Sequence, residues 1–537
     1  MTIKPSKLFL PIIIGIFFLF LSSCEDFLSS IRNENTQEIA TLFYDLKDID
    51  VCMNGAYGAF ASNSYYGNLV LTDVLGSDNS APTSNTLIQP DFTLLNASNY
   101  LFKYQSNIYD YQAGGYLQWG SFVNNNSNLV IQSIKQHLPP IKNSVDSLNA
   151  QRLMGEAYLM RATVEFYNNF YVGRQYHITT LDSLSTLYRK RPVLAINDAN
   201  EPRKTVAQVY RFLEEDLRLA IYLLPSQFDN SIQPLAYQYR CKKDVAIAML
   251  AKVFFQQNNF DSALVYVNQL LGNQVGISTK FPLVQGTAYS KIFQTIDKIN
   301  YQYGTGNEVI MAFHGSSAFQ PTSPAHWGSF QWTAFKNLQN GDLTQSKFRI
   351  VVDKSLQDIF IQGDTAKDIR FKQLIYITTN IGKEYPAGQW ATLKAAYPTS
   401  NTPWLRSSEF HLMRAEIYFH KNNFPYAIAE LNLIRKRAGL VEIGNDIINE
   451  ALYKSIIDDR RKEFCFENVR RWDNFRLASL AGSTYGTYLP EPFKSGKIPL
   501  GNRMNLITDT ELPWNSNRFY SPIPQNEYLF NPALKGQ

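Results

Sequence analysis

Ala251-Lys-Val-Phe-Phe-Gln-Gln-Asn-Asn-Phe-Asp-Ser-Ala263 and, far downstream, Ala415-Glu-Ile-Tyr-Phe-His-Lys-Asn-Asn-Phe-Pro-Tyr-Ala427 are one pattern written twice. A small residue, a branched aliphatic, an aromatic, a Phe, Asn-Asn-Phe and a closing Ala fall in register. The spacing predicts a helical hairpin. Ala251 and Ala415 let two helices approach, Phe254 and Tyr418 fill the groove between them, Asn-Asn makes the turn, and Ala263 and Ala427 open the second helix.

Each closing alanine is followed four residues on by an apolar side chain, Val267 and Leu431, a spacing that resembles the tetratricopeptide pattern. Asp216 to Pro225 reads as the end of a further unit, with Pro225 as its stop. Amphipathic helices are predicted over Gln151–Phe170, Thr205–Leu224, Lys242–Gln257, Asp261–Leu271, Ser407–Lys421, Pro425–Ala438 and Ile447–Phe475. The expected fold is mainly α: a tetratricopeptide-like helical-hairpin scaffold, held mainly in 119–271 and 407–476, with long irregular loop insertions. Because the two written repeats are far apart, a continuous solenoid is not expected. The insertions, rich in Gly, Ser, Asn, Thr, Pro and aromatics, are 62–100, 171–204, 272–406 and the irregular C-terminal region 481–537.

The N-terminus reads as a lipoprotein leader. Lys4 and Lys7 precede an apolar run from Leu8 to Leu21, too short for a stable span, which ends in Leu21-Ser22-Ser23-Cys24. This looks like a bacterial lipobox. The expectation is that 1–23 are removed and that Cys24 carries the lipid, tethering a body of 24–537 to a membrane.

The formal net charge is +5, two of it from Lys4 and Lys7, and no long Lys/Arg run concentrates the rest, which argues against nucleic-acid binding. Cys52, Cys241 and Cys465 are odd in number and scattered, so no disulfide framework is expected; Cys465, between Phe464 and Phe466, reads as buried and inert. No His-Glu-x-x-His, Cys/His zinc spacing, Walker loop, Gly-x-Ser-x-Gly elbow or dinucleotide fingerprint occurs, and no cofactor or metal is implied. Glu463 and Glu467 stand four apart on the expected helix and form the one carboxylate pair that resembles a hydrolase's. With Arg460, Arg461, Arg470 and Arg471 at hand, a structural ion-pair network is the favoured reading.

Several segments together resemble the SusD/RagB family. They are Cys24-Glu-Asp-Phe-Leu28; Trp119, Phe122 and Asn128 along one early helix; Gly155-Glu-Ala-Tyr-Leu-Met-Arg-Ala162; and Arg203-Lys-Thr-Val206 through Glu215-Asp216-Leu217 to Leu223-Leu-Pro225. Further on come Leu412-Met-Arg-Ala-Glu416 with Leu431 to Leu440, then Arg460-Arg-Lys-Glu-Phe464 with Phe466, Glu467, Arg470, Asp473 and Arg476. The chain closes on Pro522-Ile-Pro-Gln525 and Asn531-Pro532. Two positions depart from the family: Asn468 stands where Gly is common, and Asn125 where an aliphatic is.

What the resemblance implies is a non-enzymatic nutrient-binding lipoprotein of the outer membrane, partnered by a SusC-like TonB-dependent transporter and binding an oligosaccharide. Peptide, as in RagB-type uptake, is the alternative ligand. Glu25 and Asp26 after the lipid-bearing cysteine resemble an export signal that would place the body on the cell surface. A surface-anchored polysaccharide hydrolase and a ligand-free assembly scaffold are the rival classes. The chain holds 35 Phe, 32 Tyr and 7 Trp, and sugars stack their C–H faces on such rings while Asn, Asp, Gln or Arg take the hydroxyls. Ligand-binding candidates on the insertions are therefore Tyr65, Tyr66, Asp78, Asn79, Tyr301, Tyr303, Trp327 and Trp332, with Trp390 and Trp404 as further options.

Overall fold

The computed structural model describes residues 42–61, 79–80, 111–227, 229, 240–294, 307–313, 351–377, 388, 390–394, 402–500, 510–520, 523 and 525–535. The helices in chain order are α1 (Leu46–Phe60), α2 (Tyr111–Lys135), α3 (Ser144–Val172), α4 (Val206–Leu223), α5 (Lys243–Gln256) and α6 (Phe260–Leu271). After them come α7 (Lys354–Gln362), α8 (Ile369–Leu374), α9 (Ser407–His420), α10 (Phe424–Ala438), α11 (Asn449–Phe464), α12 (Arg470–Ser479) and α13 (Gln525–Phe530). Strands are short and pair two by two, antiparallel: β1 (Asn79–Ser80) with β3 (Val351–Val352), β2 (Val309–Phe313) with β6 (Thr402–Arg406), β4 (Ile375–Ile377) with β5 (Trp390–Thr392), and β7 (Lys497–Pro499) with β8 (Glu511–Pro513). Among the described residues no helix is long and apolar enough to cross a membrane.

The two written repeats fold as two hairpins with the same turn. Asn258 and Asn422 take left-handed backbone, φ 58 and 56, which Asn tolerates better than most residues. The amide of the next Asn closes each helix in Schellman fashion, Asn259 N donating to Phe254 O and Asn423 N to Tyr418 O, both at 2.9 Å. That second Asn then caps the following helix through its side chain, accepting from Ser262 N at 3.1 Å and from Tyr426 N at 3.4 Å. Ala251, Ala263, Ala415, Ala427, Val267 and Leu431 are fully buried, as the spacing requires. Phe254 stacks on Tyr266 at 5.6 Å, and Tyr418 meets Tyr426 edge-on at 5.2 Å.

Distance along the chain does not separate the hairpins. Helices α1 to α6 pack in succession, and α6 then docks directly on α9 across the whole 272–406 insertion. The rings of Phe260 and His420 stack at 4.4 Å there, and Lys421 pairs with Asp261. The expectation of an interrupted solenoid is thus corrected: the interruption lies in the sequence only. Helix α9 belongs to both hydrophobic cores, giving Phe410, Met413 and Ile417 to the one built on α1–α6 and Leu412, Ala415 and Phe419 to the one built on α10–α12.

The helix expected over Ile447–Phe475 is two helices. Phe466 and Asn468 both have positive φ, 64 and 60, and break it between Cys465 and Val469. The departure at Asn468 falls on left-handed backbone, which Gly and Asn both accommodate. The other departure, Asn125, exchanges two bonds with Val193, donating to its O at 3.4 Å and accepting from its N at 2.7 Å. Asn128 donates to the carbonyls of Arg189 and Arg191, so the polar run of α2 ties segment 171–204 down along the scaffold. Two of the matched blocks meet in space as well, Arg161 gripping Asp216 with both ends of its guanidinium at 2.7 and 2.6 Å. In the same block Gly155 is needed for close approach, since a Cβ there would lie 2.9 Å from Leu224 Cγ at the C-terminal end of α4.

Candidate functional site

Within the 272–406 insertion, the stretch 314–401 joins the scaffold at both ends through one two-stranded stem. Val309 pairs with Arg406 and Phe313 with Thr402, and Val309 to Ala312 are buried. Trp404 of β6 is buried in the core, its Nε1 donating to Tyr167 Oη at 2.9 Å and its ring 5.2 Å from Phe60. Trp390 of β5 is buried against Phe371 at 4.8 Å and Phe360 at 6.4 Å. As ligand options both are therefore corrected: a large aromatic that fills the core beneath a loop is indistinguishable by residue type from one that caps a ligand on top of it.

Of the loop candidates, Asn79 is placed by its backbone, opposite Val352 in the β1–β3 pair. That pair joins insertion 62–100 to insertion 272–406, and β3 in turn lies beside β5. Tyr65, Tyr66, Asp78, Tyr301, Tyr303, Trp327 and Trp332 lie outside the described residues, as does Cys24.

The stem is clamped by buried charge. Arg406 donates through NH1 to Glu308 at 2.6 Å and Glu463 at 2.8 Å, and through Nε and NH2 to Glu467 at 2.8 Å each. Arg437 of α10 reaches Glu463 at 2.5 Å and Glu308 at 3.1 Å. From the insertion, Lys394 holds Glu467 at 2.7 Å, and Arg370 bridges Asp368 at 2.7 Å and Asp459 at 2.8 Å. Burial pushes the Glu463 carboxyl up, but Arg437, Arg406 and Arg370 together outweigh it and hold the group well below the usual carboxylate range. Asp459 is brought the same way to about 2, burial opposing and Arg370, Lys462 and Arg435 prevailing.

An acid–base pair needs one carboxyl that keeps its proton and a gap for a glycosidic bond. Glu463 and Glu467 instead share the Arg406 guanidinium, and Glu463 stays ionised. The structural reading of the pair holds, but its partners are not the neighbours on the helix. Arg460 goes to Asp473 at 2.7 Å, Arg461 to Ser355 at 2.8 Å, and Arg471 to the carbonyls of Phe170 and Phe519. Arg406, Arg437, Lys394 and Glu308 were not singled out in the sequence. The one signal was Arg406 following the apolar Trp404-Leu405, a charge entering a core. Cys465 is buried, as expected.

A second polar cluster gathers where α3 ends. The Arg174 guanidinium lies 4.2 Å over the Tyr520 ring and donates to Asn515 O at 3.5 Å and Asn517 Oδ1 at 2.5 Å, while His177 packs against Trp514 at 5.1 Å. Gly173 sets this corner: a Cβ would fall 2.3 Å from Asn169 Oδ1.

A family model described as the SusD family matches residues 376–537, and one described as starch-binding associating with outer membrane matches residues 62–255. Solved structures resemble almost the whole chain. One is a SusD superfamily protein from Bacteroides thetaiotaomicron, 19% identical with a TM-score of 0.70, covering 91% of this chain and 99% of that one. Another is a SusD-like carbohydrate binding protein from Bacteroides vulgatus, 17% identical, TM-score 0.68, covering 92% and 98%. Surface glycan-binding protein A from Bacteroides uniformis is 18% identical, TM-score 0.62, covering 91% and 98%. At such identities the likeness is one of fold. No curated protein matches the chain.

Proposed function

The chain belongs to the SusD family, and on that premise we propose that it is a carbohydrate-binding lipoprotein of the outer membrane that captures oligosaccharides and passes them to a SusC-like TonB-dependent transporter. The lipid on Cys24 tethers the body to the cell surface. The insertions 62–100 and 272–406 form the capture surface, and the helical hairpins form the rigid body that carries it. The observation that carries the reading is the clamped stem. Arg406 and Arg437 lock both strands of the stem to α10 and α11, a rigid base of the kind that lowers the ordering cost of binding. A sugar is held there by ring stacking and hydroxyl hydrogen bonds, with no covalent step.

Titration of the detergent-solubilised protein with maltoheptaose in a calorimeter tests capture. Saturable heat without release of reducing ends is expected; release of reducing ends overturns the binding-protein reading. Purification through a tag from mildly solubilised outer membranes tests delivery. A TonB-dependent barrel in near-equal amount is expected, and recovery of the protein alone overturns the stable partnership.

A further inference from the structure

The Arg174 cluster is built differently from the stem clamp. There Arg406, Arg437 and Arg370 meet carboxylates; among the described residues Arg174 meets none, only Asn515 O, Asn517 Oδ1 and the face of Tyr520. Two further arginines stand nearby and donate to carbonyls: Arg203 to Val172, Leu184 and Ser185, and Arg471 to Phe170 and Phe519. Glu511, on the strand leading to Trp514, is paired with Lys497.

Trp514 adds an aromatic surface. Trp404 and Trp472 are buried with their indole N–H groups bonded inward, to Tyr167 Oη and Asn468 O. Trp514 keeps part of its surface in solvent, and its Nε1–H donates to nothing among the described residues. It is held in place from two sides, by its backbone N donating to Gly496 O at 3.1 Å and by its O accepting from Tyr520 Oη at 3.3 Å. His177 completes the set. Its Nδ1 meets Thr179 Oγ1 at 2.8 Å and accepts from Thr179 N at 3.3 Å, an arrangement that favours the ring proton on Nε2, and burial pushes its pKa down. Arg174, His177 Nε2 and Trp514 Nε1 are thus three sources of N–H on a fixed frame, with the exposed Asn515 and Asn517 at the rim.

We propose that Arg174, His177 and Trp514 form a second saccharide-contacting site that takes a hexuronate ring of an acidic oligosaccharide, its carboxylate on Arg174 and its C–H face on Trp514. A neutral sugar carries no charge to match the cation; a uronate supplies an anionic, bidentate acceptor for this donor-rich frame. The inference rests on the carbohydrate-binding reading above and adds to it a place and a class of sugar.

Trigalacturonic acid and maltoheptaose, titrated separately into the detergent-solubilised protein, decide it. Trigalacturonate should bind, more weakly as salt is raised, and R174Q and W514A should each weaken it by about tenfold or more while maltoheptaose binding stays the same. Asn515 is exposed, so N515D sets a negative charge beside the guanidinium without touching the core, and it should weaken trigalacturonate alone. Trigalacturonate binding that R174Q and N515D leave unchanged overturns the site. Binding of maltoheptaose but not trigalacturonate overturns the class of sugar. If neither binds, the carbohydrate-binding reading fails first and this inference falls with it.

Discussion

Under the offset that aligns Ala251 with Ala415, Val245, Ile247 and Leu250 of α5 stand where α9 carries Glu409, His411 and Arg414, and all six are buried. The hairpins share backbone, turn and close-approach positions, yet at these three positions one places hydrocarbon and the other charge. The charges explain what each hairpin is for. Helix α5 lies between like neighbours. Helix α9 grips segments from elsewhere: Glu409 takes Lys252 at 2.7 Å, Arg414 takes Glu430 at 2.8 Å and the carbonyl of Gly272 at 2.7 Å, and Glu416 takes Arg476 at 2.7 Å and Tyr453 Oη at 2.9 Å. Apolar packing sets the stacking of units, and directional ion pairs determine which outside segments join the stack.

The sharpest contrast is expected on truncation. Glu416→Ala strands the Arg476 guanidinium in the core and should cost roughly 3–5 kcal/mol in urea unfolding. Replacing both partners, Glu416→Leu with Arg476→Met, should recover most of that loss, because two well-packed apolar groups need no counter-charge. On the other hairpin Leu250→Ala should cost about 2–4 kcal/mol through a cavity, and no partner substitution should restore it. A double variant no more stable than Glu416→Ala would mean that the loss is packing in both hairpins, and the comparison would collapse.

Acid should separate the hairpins next. Burial raises the carboxyls of Glu409, Glu416 and Glu430, but Lys252 and Arg460, Arg476, and His411 with Arg414 outweigh it and hold all three below the ordinary 4.5. A depressed carboxylate stabilises the fold fully above its unfolded pKa, and that stabilisation is lost as pH falls toward the folded value. Asp459 alone, taken from 3.8 to about 2, accounts for about 2 kcal/mol. Between pH 5 and pH 2, amide exchange should therefore open α9–α12 before α5–α6. Simultaneous opening would refute the assignment of the charged hairpin as the acid-labile one.

Glu165 of α3 runs the other way. Burial lifts it to about 6, with Thr186 and Asn124 opposing, so its contribution is complete below the unfolded value near 4.5 and is lost as pH rises through 6. Glu165→Gln should gain about 2 kcal/mol at pH 8 and nothing at pH 4. An equal gain at both would show that the carboxyl does not titrate there.

The hairpins were legible in the sequence because everything that specifies them is local: a small residue, an aromatic and Asn-Asn within thirteen positions. Their mutual stacking was not, since no local signal says that α6 and α9 meet across an insertion. The break at Phe466 was hidden because Phe464, Trp472 and Phe475 keep a helical period through it, while Phe is an improbable residue for left-handed backbone. The ion pairs of Glu463 and Glu467 were expected from helix neighbours. They come instead from Arg406 and Lys394, brought by the insertion, and from Arg437 of α10, none of which periodicity can supply. At the candidate site, residue type separated aromatics from the rest but could not separate the buried Trp390 and Trp404 from exposed rings.

The smallest effects test the turn that the hairpins share. Asn258 and Asn422 hold nearly the same left-handed φ and each passes the chain to a capping Asn. Asn→Gly at either position should change stability by only a few tenths of a kcal/mol, because relief of left-handed strain offsets the added freedom of the unfolded chain. Asn→Val at either should cost about 1–2 kcal/mol, since a β-branched side chain clashes in that conformation. The argument requires the two costs to agree. Equal losses would mean that turn chemistry is independent of whether the hairpin interior is hydrocarbon or charge. A much larger loss at Asn422 would show instead that the buried ion pairs of α9 transmit strain from its C-terminus, and that the hairpins are alike in sequence but not in how they bear load.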